Sequence, residues 1–502
     1  MSTTTLTRTP VRRTNRARVE NLHARRIGPT LVPDRARVLL RPFHPTTEDI
    51  ARRIVARVMT LSEEEVARLL QAVLAEFGDR HEQVENFLRK RFHQVRHYLA
   101  DPREPSPERA ALLGSYFTHE YSFEAAALFN PSIVPHFDQS DLPPGSLRFI
   151  LSLRATGEGH ISSIAFRTGI VDADHRISLT EPVPFMMEPE RVPNAAYEKN
   201  LFARKLQELG MQDDLCQRVL DQFGDSFTFD DLRHALETTR ANSDPADAHL
   251  DRAARGMMLL AESNYEVRFP RDRRVSQCVI FPSTPSQRNG IEDARFVRFH
   301  DDDGSQTYYA TYTAYDGKII LPQLLATPDF FDFKFITLNG AGVQNKGMAL
   351  FPRKIKGRYV MLSRQDDENI FIMSSDNIHF WETRELLLTP GQPWEFMKIG
   401  NCGSPIETEA GWLVLSHGVG PMRKYCLGAF LLDLEDPTIV IGRLREPLLA
   451  PDATEREGYV PNVVYTCGLL LHERELIIPY AMSDYGTSFA RVSLDELLDA
   501  MQ

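Results

Sequence analysis

From about residue 265 nearly to its end, the chain is a succession of short apolar segments separated by Gly, Asp, Asn and Pro. Short segments between such turn residues are typical of β-strands. The pattern first appears near residue 115, and "RFILSLRATGEGHISSIAFRTG" at 148–169 predicts two strands around the turn "TGEG". This organisation predicts a mainly β fold class.

Helical patterns precede and interrupt the β region. "LSEEEVARLLQAVLAEF" at 61–77 has the i, i+3, i+4, i+7 apolar spacing of an amphipathic helix, with Ser62 and Glu65 as its capping box. A later helix is predicted after a cap formed by Thr228 and Asp231. The predicted order is a helical N-terminal region (36–114), a β domain (115–490) with an inserted helical arm (about 190–260), and a C-terminal helix (491–502).

Charge is unevenly distributed along the 502 residues. Residues 1–30 contain seven arginines and the single acid Glu20, whereas the formal net charge of the whole chain is −11. The rest of the chain is therefore strongly acidic, which argues against nucleic acid as a partner. Because the N-terminal segment is also poor in apolar residues, residues 1–35 are predicted to be a flexible basic tail.

Several other classes of protein are disfavoured. The apolar stretch "YVPNVVYTCGLLL" at 459–471 is shorter than the roughly 18 residues of a membrane-spanning helix. The N-terminus lacks the apolar core of a secretory signal, which indicates a cytoplasmic protein. Five cysteines without a C-x-x-C pair predict separate buried thiols. The sequence has no cluster of His and carboxylate residues at metal-ligand spacing and no Gly-rich nucleotide loop. It therefore predicts neither a metal nor an organic cofactor.

A weak internal repeat narrows the choice of β architecture. "TPDFFDF" at 327–333 and "SSDNIHF" at 374–380 both follow an apolar strand, 47 residues apart. A period of about 40 to 50 residues is typical of β-propeller blades, and about 310 residues of β sequence would make five blades. In a propeller, polar residues at the ends of inner strands converge on one pocket.

Two adjacent acids, Glu292 and Asp293, stand at the start of an alternating strand in "RNGIEDARFVRF" at 288–299. Neighbouring side chains of a regular strand point to opposite faces, so only one of the two is expected to line the pocket. The pair is therefore not expected to be the two-carboxylate device of an ordinary glycosidase.

Six blocks resemble glycoside hydrolase family 130 in sequence and order, over about residues 120–490. The resemblance implies a five-bladed β-propeller, and the family contains mostly inverting phosphorylases of β-mannosides, with a minority of β-mannosidases. The helical additions resemble longer members, some of which act on β-1,2-linked mannosides. The blocks are "GIEDAR" (290–295), "NKGMALFPRKIKGRYVMLSR" (345–364), "GWLVLSHGVG" (411–420), "YCLGAFLLDLEDPTIVIGR" (425–443), "EGYVPNVVYTCG" (457–468) and "PYAMSDYG" (479–486).

The resemblance also implies roles for individual residues. Asp293 matches the general acid of the family, whose proton is thought to pass through a sugar hydroxyl. Ala294 stands where proline is usual, which should alter the stiffness of the turn more than the chemistry. Residues that match positions holding the strand end or the sugar are Glu292, Arg295, Asn130, Arg154 and Asp484.

Phosphorolysis makes its own chemical demands. Phosphate is already anionic, so the site needs an acid and a cluster of cations and donors, but no protein base. Arg364 and His417 match the phosphate-binding positions of the family, although Ser416 and Gly347 depart from the usual residues. Further basic candidates are Lys346, Lys398 and Arg423.

Two alternatives to a phosphorylase remain. An inverting β-mannosidase would need a second carboxylate to activate water, and "RQDDEN" supplies Asp366, Asp367 and Glu368. A propeller that only binds glycans would keep the fold without the chemistry. The expected partners are a β-mannoside oligosaccharide and inorganic phosphate, not nucleic acid or a membrane; the acceptor sugar and homo-oligomer formation through the helical regions stay open.

Overall fold

The computed structural model describes residues 22–101, 103–193, 195–211, 213–241, 248–317 and 320–501. The mainly β class is confirmed, since long antiparallel sheets dominate the chain after residue 115. None of the helices in these ranges is long and apolar enough to cross a membrane. All five cysteines are free and buried, as predicted.

The N-terminal region consists of two strands and four helices. Ser62 and Glu65 form the predicted capping box, and the helices pack around buried residues such as Val66, Phe92 and Leu112. The elements are β1 (Arg25–Leu31), β2 (Val38–Pro42), α1 (Glu48–Met59), α2 (Glu63–Phe77), α3 (Val84–Val95) and α4 (Pro107–Ser115).

Strand β1 corrects the prediction of a flexible tail over residues 1–35. Ile27 is paired with Phe489 in the last strand of the chain, and Arg26 binds the buried carboxylate of Glu455. The arginine-rich composition of this segment is not typical of a strand. Its partner strand lies more than 400 residues away, so no local pattern predicts the pairing. Residues 1–21 of the predicted tail lie outside the described ranges.

The first antiparallel β unit follows the helices. The turn "TGEG" joins its two long strands β5 and β6, as the sequence predicted. Strand β3 pairs with β2, while β4 to β7 form a continuous antiparallel series. The strands are β3 (Thr118–Ser122), β4 (Ala127–Pro135), β5 (Leu147–Thr156), β6 (Ser162–Val171) and β7 (Ile177–Leu179).

The inserted arm has an apolar core of its own, which includes Phe202, Leu206 and Leu232. The reciprocal hydrogen bonds of Thr228 and Asp231 confirm the predicted cap. Lys205 anchors the arm by donating from Nζ to the Leu338 carbonyl oxygen at 2.7 Å. The elements are β8 (Glu190–Arg191), β9 (Ala196–Glu198), α5 (Lys199–Glu208), α6 (Asp214–Leu220), β10 (Ser226–Thr228), α7 (Phe229–Ala241) and α8 (Ala248–Glu262).

The second and third β units come next. Gly290 in β13 is paired in parallel with Ser162 in β6, which merges the first two units into one 11-stranded sheet. The third unit is a separate four-stranded sheet. The strands are β11 (Tyr265–Arg268), β12 (Val279–Ile280), β13 (Gly290–His300), β14 (Gln306–Tyr315), β15 (Ile320–Thr327) and β16 (Asp332–Thr337), then β17 (Ala349–Leu350), β18 (Tyr359–Ser363), β19 (Ile370–Ser375) and β20 (Glu385–Leu388).

The last two β units complete the chain, and each forms a five-stranded sheet. The final sheet includes β1, so the two ends of the described chain meet in one sheet. The elements are β21 (Lys398–Asn401), β22 (Ile406–Thr408), β23 (Gly411–Val419), β24 (Tyr425–Leu432) and β25 (Val440–Arg443), then β26 (Val464–Tyr465), β27 (Leu470–His472), β28 (Glu475–Met482), β29 (Gly486–Ser493) and α9 (Leu494–Ala500).

Apolar clusters connect the five units in a cyclic order. Strand β6 packs on β13 and β14, β13 to β15 pack on β17 to β19, and β18 and β19 pack on β23 and β24. Strands β23 and β24 pack on β28 and β29, which pack in turn on β5. Within the described ranges no single sheet closes on itself, and the closed five-bladed arrangement stays a prediction.

Candidate active site

The predicted site residues lie on or next to strands of all five units. Asn130 and Arg154 lie on β4 and β5, the "GIEDAR" residues on β13, and Lys346 just before β17. Arg364 directly follows β18, Lys398 lies on β21 and His417 on β23. Asp484 lies in the turn between β28 and β29.

Asp293 is the centre of a buried polar network. Asn130 donates from Nδ2 to Asp293 Oδ1 at 2.7 Å, and Arg154 Nη1 lies 3.4 Å from the same oxygen. Arg154 also donates from Nη2 to Glu292 Oε1 at 2.8 Å, and Lys346 Nζ lies 3.8 Å from Glu292 Oε2. The structure therefore brings five of the predicted residues into one continuous set of contacts.

The expectation that Glu292 and Asp293 point apart is wrong. Asp293 has a φ of +53°, and the register of β13 against β14 shifts between Glu292 and Arg295. This irregularity interrupts the alternation of the strand, so both carboxylates reach the guanidinium of Arg154. The rule used for the prediction applies only to a regular strand.

A second irregularity faces the first. Asn130 has a φ of +49°, and β4 changes register between Phe129 and Ser132. Positive φ values are uncommon for residues other than glycine and cluster at functional sites. The two irregular strands together place the amide of Asn130 against the carboxylate of Asp293.

Charge around Asp293 favours its ionised form. Burial acts to raise the pKa of the Asp293 carboxyl, but Arg154, Lys346, Arg295 and the hydrogen bond from Asn130 outweigh it and lower the pKa to about 2. The Asp293 side chain is therefore a carboxylate at neutral pH while these cations are not neutralised by another anion.

Arg295 holds the start of β13 through hydrogen bonds to the backbone and to Tyr465. Its guanidinium donates to the backbone oxygens of Asp293 and Cys402 at 3.2 Å each, and to the Tyr465 hydroxyl at 2.6 Å. Burial acts to lower the pKa of Arg295, but the nearby Tyr465, Cys467 and Asp293 outweigh it and raise that pKa. Arg295 fixes the backbone that carries Asp293.

Arg364 and His417 form a second buried pair. Arg364 Nη1 donates to His417 Nε2 at 2.9 Å, and His417 Nδ1 lies 3.8 Å from the Cys402 sulfur. An arginine side chain can only donate, so Nε2 accepts and the ring proton is on Nδ1. Burial, followed by the charge of Arg364, lowers the pKa of His417 well below its ordinary value. His417 is therefore neutral and positions Arg364.

The backbone around this pair admits no larger residue. A Cβ atom at Gly400 would lie 2.4 Å from His417 Cε1 and 3.0 Å from Arg364 Cδ. Arg364 Nε is buried and has no hydrogen-bond partner in the described chain. A buried guanidinium with an unused donor is suited to hold an anion.

Lys398 lies beside Arg364 and shares an acidic partner with it. Asp367 Oδ1 is 3.2 Å from Arg364 Nη2, and Asp367 Oδ2 is 3.0 Å from Lys398 Nζ. Asp366, in contrast, accepts the backbone N–H groups of Glu368 and Asn369 and shapes the turn. Of the three candidate bases in "RQDDEN", Asp367 is the one that contacts Arg364 and Lys398 in the described chain.

Asp484 lies in the turn between β28 and β29, where its φ is +52°, and interacts electrostatically with Asp293 and Arg154. Burial, and then the negative charge of Asp293, raise the pKa of Asp484 to about 6, while Arg154 and Arg423 act in the other direction. Arg423 itself is exposed and lies over the Tyr425 ring, 5.9 Å from its centroid. Asp293 and Asp484 are thus two carboxyl groups with well-separated pKa values.

Two contacts of the site were not predicted from the sequence. Tyr465, which binds Arg295, lies within the apolar part of the block "EGYVPNVVYTCG", but the sequence analysis inferred no role for it. Asp367 was considered only as a base, whereas it contacts two of the predicted phosphate ligands. The density of acids in "RQDDEN" was the one available signal, and it does not indicate a partner.

Comparison with known proteins decides the family. The family model described as "beta-1,4-mannooligosaccharide phosphorylase", that of glycoside hydrolase family 130, matches residues 251–502. This chain belongs to glycoside hydrolase family 130. The family match begins after Asn130 and Arg154, yet both residues contact Asp293 in the structure.

Curated relatives of this chain carry names that differ in linkage. A "1,2-beta-oligomannan phosphorylase" of Thermoanaerobacter sp. (strain X514) is 36% identical over 232 residues, which are 45% of this chain and 75% of the relative. A "Beta-1,2-mannobiose phosphorylase" of Listeria innocua serovar 6a is 33% identical over 231 residues, 44% of this chain and 63% of the relative. A "Beta-1,4-mannooligosaccharide phosphorylase" of Ruminococcus albus is 36% identical over 183 residues, 34% of this chain and 55% of the relative.

A solved structure is also similar to this chain. The complex of β-1,2-mannobiose phosphorylase from Listeria innocua with β-1,2-mannobiose aligns with a TM-score of 0.44 and 21% sequence identity. The alignment covers 75% of this chain and 92% of that one.

Proposed function

We propose that this family 130 protein is an inverting β-mannoside phosphorylase, which converts a β-mannoside and phosphate to α-mannose 1-phosphate. The observation that carries the proposal is the pairing of one buried carboxylate, Asp293, with a cluster of buried or half-buried cations. The names of the relatives, which are phosphorylases of β-1,2- and β-1,4-linked mannosides, support the same chemistry.

The proposal includes a closed five-bladed β-propeller. Five antiparallel units pack on one another in a cyclic order, and the pairing of β1 with β29 joins the two ends of the described chain. A propeller would direct the inner strand ends of every unit toward one axis. That geometry accounts for a site to which all five units contribute.

Asp293 is assigned as the general acid. A phosphate oxygen attacks the anomeric carbon from the face opposite the aglycone, the glycosidic C–O bond breaks, and the departing oxygen receives a proton that originates on Asp293. Hydrogen phosphate and protonated Asp293 become the sugar phosphate monoanion and the Asp293 carboxylate, so charge and protons balance. The family resemblance implies that a sugar hydroxyl relays this proton.

The low pKa of Asp293 gives phosphate a second role. Lys346, one of the cations that lower this pKa, is also a proposed phosphate ligand. When phosphate neutralises Lys346, the pKa of Asp293 rises and its protonated form becomes more populated. Binding of phosphate would thus prepare the acid for the proton transfer.

Phosphate is assigned to Arg364, Lys346 and Lys398, with His417 holding Arg364 in place. The sugar is assigned to Asn130, Arg154, Glu292 and Asp484. The Asn130 Oδ1 atom is buried and has no hydrogen-bond partner in the described chain, so it is suited to accept from a sugar hydroxyl. The preferred linkage in this proposal is β-1,2.

The proposal is tested by incubating the purified protein with β-1,2-mannobiose, with and without phosphate, and assaying mannose 1-phosphate and free mannose separately. Formation of mannose 1-phosphate only when phosphate is present is the expected result. Equal release of free mannose without phosphate would show a hydrolase instead. Binding without turnover, unchanged in Asp293→Asn, would show a glycan-binding protein. β-1,4-Mannobiose in parallel decides the linkage.

A further inference from the structure

The Asp367 carboxylate bridges two cations that the proposed function assigns to phosphate. Its two oxygens lie 3.2 Å from Arg364 Nη2 and 3.0 Å from Lys398 Nζ. The side chain of Arg364 is 8% exposed and that of Lys398 is 23% exposed, whereas that of Asp367 is 52% exposed. An exposed acid therefore caps a largely buried pair of cations.

We propose that Asp367 is an internal competitor of phosphate: its carboxylate occupies the anion site in the resting enzyme, leaves when phosphate binds, and thereby sets the phosphate affinity. This inference rests on the proposed function in taking Arg364 and Lys398 as phosphate ligands. It goes beyond it by assigning to Asp367 a part in controlling affinity.

The donors of Arg364 show why the two anions compete. Its Nη1 donates to His417, and its Nη2 is the donor that contacts Asp367. A phosphate that binds Nη2 and the Lys398 ammonium must take the positions of the Asp367 oxygens. Two anions cannot share these donors at hydrogen-bond distance without strong repulsion.

The turn that carries Asp367 allows its side chain to leave without unfolding. Asp366 holds the turn by accepting the backbone N–H groups of Glu368 and Asn369 at 2.9 and 2.8 Å. The carboxylate of Asp367 adds only ion pairs that reach solvent, and such pairs contribute little to stability. Rotation of one exposed side chain is therefore enough to vacate the site.

Two other roles for Asp367 make different predictions. If it only positions the cations, its removal should weaken phosphate binding. If it is the base of a hydrolase, its removal should abolish release of mannose in the absence of phosphate and leave phosphate binding unchanged. Only an internal competitor gives tighter phosphate binding when its charge is removed.

The test compares Asp367→Asn with Glu368→Gln, which removes one negative charge from the same turn. Glu368 is exposed, and its side chain forms no ion pair in the described part of the chain. Binding of inorganic phosphate to the full-length protein is measured by calorimetry without sugar. The expected result is a roughly five- to tenfold lower Kd for Asp367→Asn and a change of less than about twofold for Glu368→Gln.

An unchanged or higher Kd in Asp367→Asn would overturn the inference, as would an equal decrease in both variants, which would indicate only a general effect of charge. Asp367→Ala is measured as well, to exclude a new hydrogen bond from the asparagine amide, and should bind phosphate more tightly than the wild type too. Because the readout is binding and not turnover, a protein that fails to form mannose 1-phosphate still permits this comparison.

Discussion

At the scale of single residues, three carboxylates share the field of a few cations. Arg154 contacts Glu292 and Asp293, and its charge also acts on Asp484. The cations around Asp293 lower its pKa. Burial and the negative charge of Asp293 raise the pKa of Asp484. Of Asp293 and Asp484, Asp484 is therefore the one that is partly protonated near pH 6.

Replacing Asp293 with Asn tests its assignment as the acid. The amide keeps the shape and an acceptor for Asn130 but cannot supply a proton, so kcat should fall by about 10² to 10⁴. Binding of β-1,2-mannobiose, measured by calorimetry, should persist. Loss of less than tenfold in kcat would contradict the assignment, and loss of binding with normal kcat would make Asp293 a sugar ligand only.

Replacing Asp484 with Asn should stabilise the protein at neutral pH. The pKa of Asp484 is about 6 in the folded protein and has the ordinary value of 3.8 in the unfolded chain. The group therefore contributes to the free energy of unfolding below pH 3.8, and this contribution is lost as the pH rises through 6. Asp484→Asn should therefore gain about 1 to 2 kcal/mol relative to the wild type between about pH 5 and about pH 8. Urea unfolding at both pH values measures the gain.

Asp293→Asn is the matched comparison for this stability measurement. Its lowered pKa gives a contribution that is present above pH 3.8 and lost only as the pH falls through about 2. The variant should be less stable than the wild type, by a similar amount at both pH values. A stabilised Asp293→Asn, or an Asp484→Asn whose gain does not grow with pH, would contradict the charge distribution.

At the scale of elements, the irregularities of β4 and β13 decide the geometry. Strand positions and the "TGEG" turn followed from alternation and turn residues, because both are local properties of the sequence. The positive φ of Asn130 and of Asp293 did not, since neither residue is glycine and the strain is maintained by contacts between distant strands. Alternation fails where the strand must turn a side chain into a site.

Besides the bond of Asn130 with Asp293, a second hydrogen bond links the two irregular strands. Phe296 N–H donates to the buried Ser132 hydroxyl at 3.0 Å, just beyond both irregularities. Ser132→Ala would leave this N–H without a partner, so the free energy of unfolding should fall by about 1 to 3 kcal/mol. Misalignment of Asn130 and Asp293 should also lower kcat. Denaturant unfolding and steady-state kinetics measure the two effects.

Ser404→Ala is the matched control for this substitution. The Ser404 hydroxyl is buried but has no hydrogen-bond partner in the described chain. Its removal should therefore change stability by less than about 0.5 kcal/mol or increase it. If both serine variants lose the same stability, the cost lies in the lost hydroxyl and not in the link between β4 and β13.

At the scale of the whole molecule, the sequence predicted the mainly β class, the helical arm and the residues that gather around Asp293. It did not predict the contribution of the N-terminal segment. Strand pairing over 400 residues depends on the edge that β29 presents, and the composition of residues 1–35 gives no sign of it. Likewise, the contact of Asp367 with Lys398 joins the turn after β18 to the start of β21, 31 residues further along the chain.

Removal of β1 should therefore damage both stability and the site. Arg26 Nη2 lies 2.5 Å from Glu455, whose side chain is 4% exposed, and the Glu455 backbone oxygen accepts from Ser483, next to Asp484. A chain starting at residue 34 loses the strand and leaves Glu455 without its cation, which should cost about 3 to 5 kcal/mol. Weaker sugar binding should accompany this loss.

A chain starting at residue 22 is the control, because it keeps β1 and the contact of Arg26 with Glu455. Thermal unfolding and mannobiose binding of this chain should match the full-length protein. Since the shorter chain could fail to fold at all, Arg26→Gln in the full-length protein isolates the ion pair and should lower the melting temperature in the same direction. Equal melting temperatures for all of these proteins would mean that β1 adds no stability, and that closure of the final sheet does not depend on it.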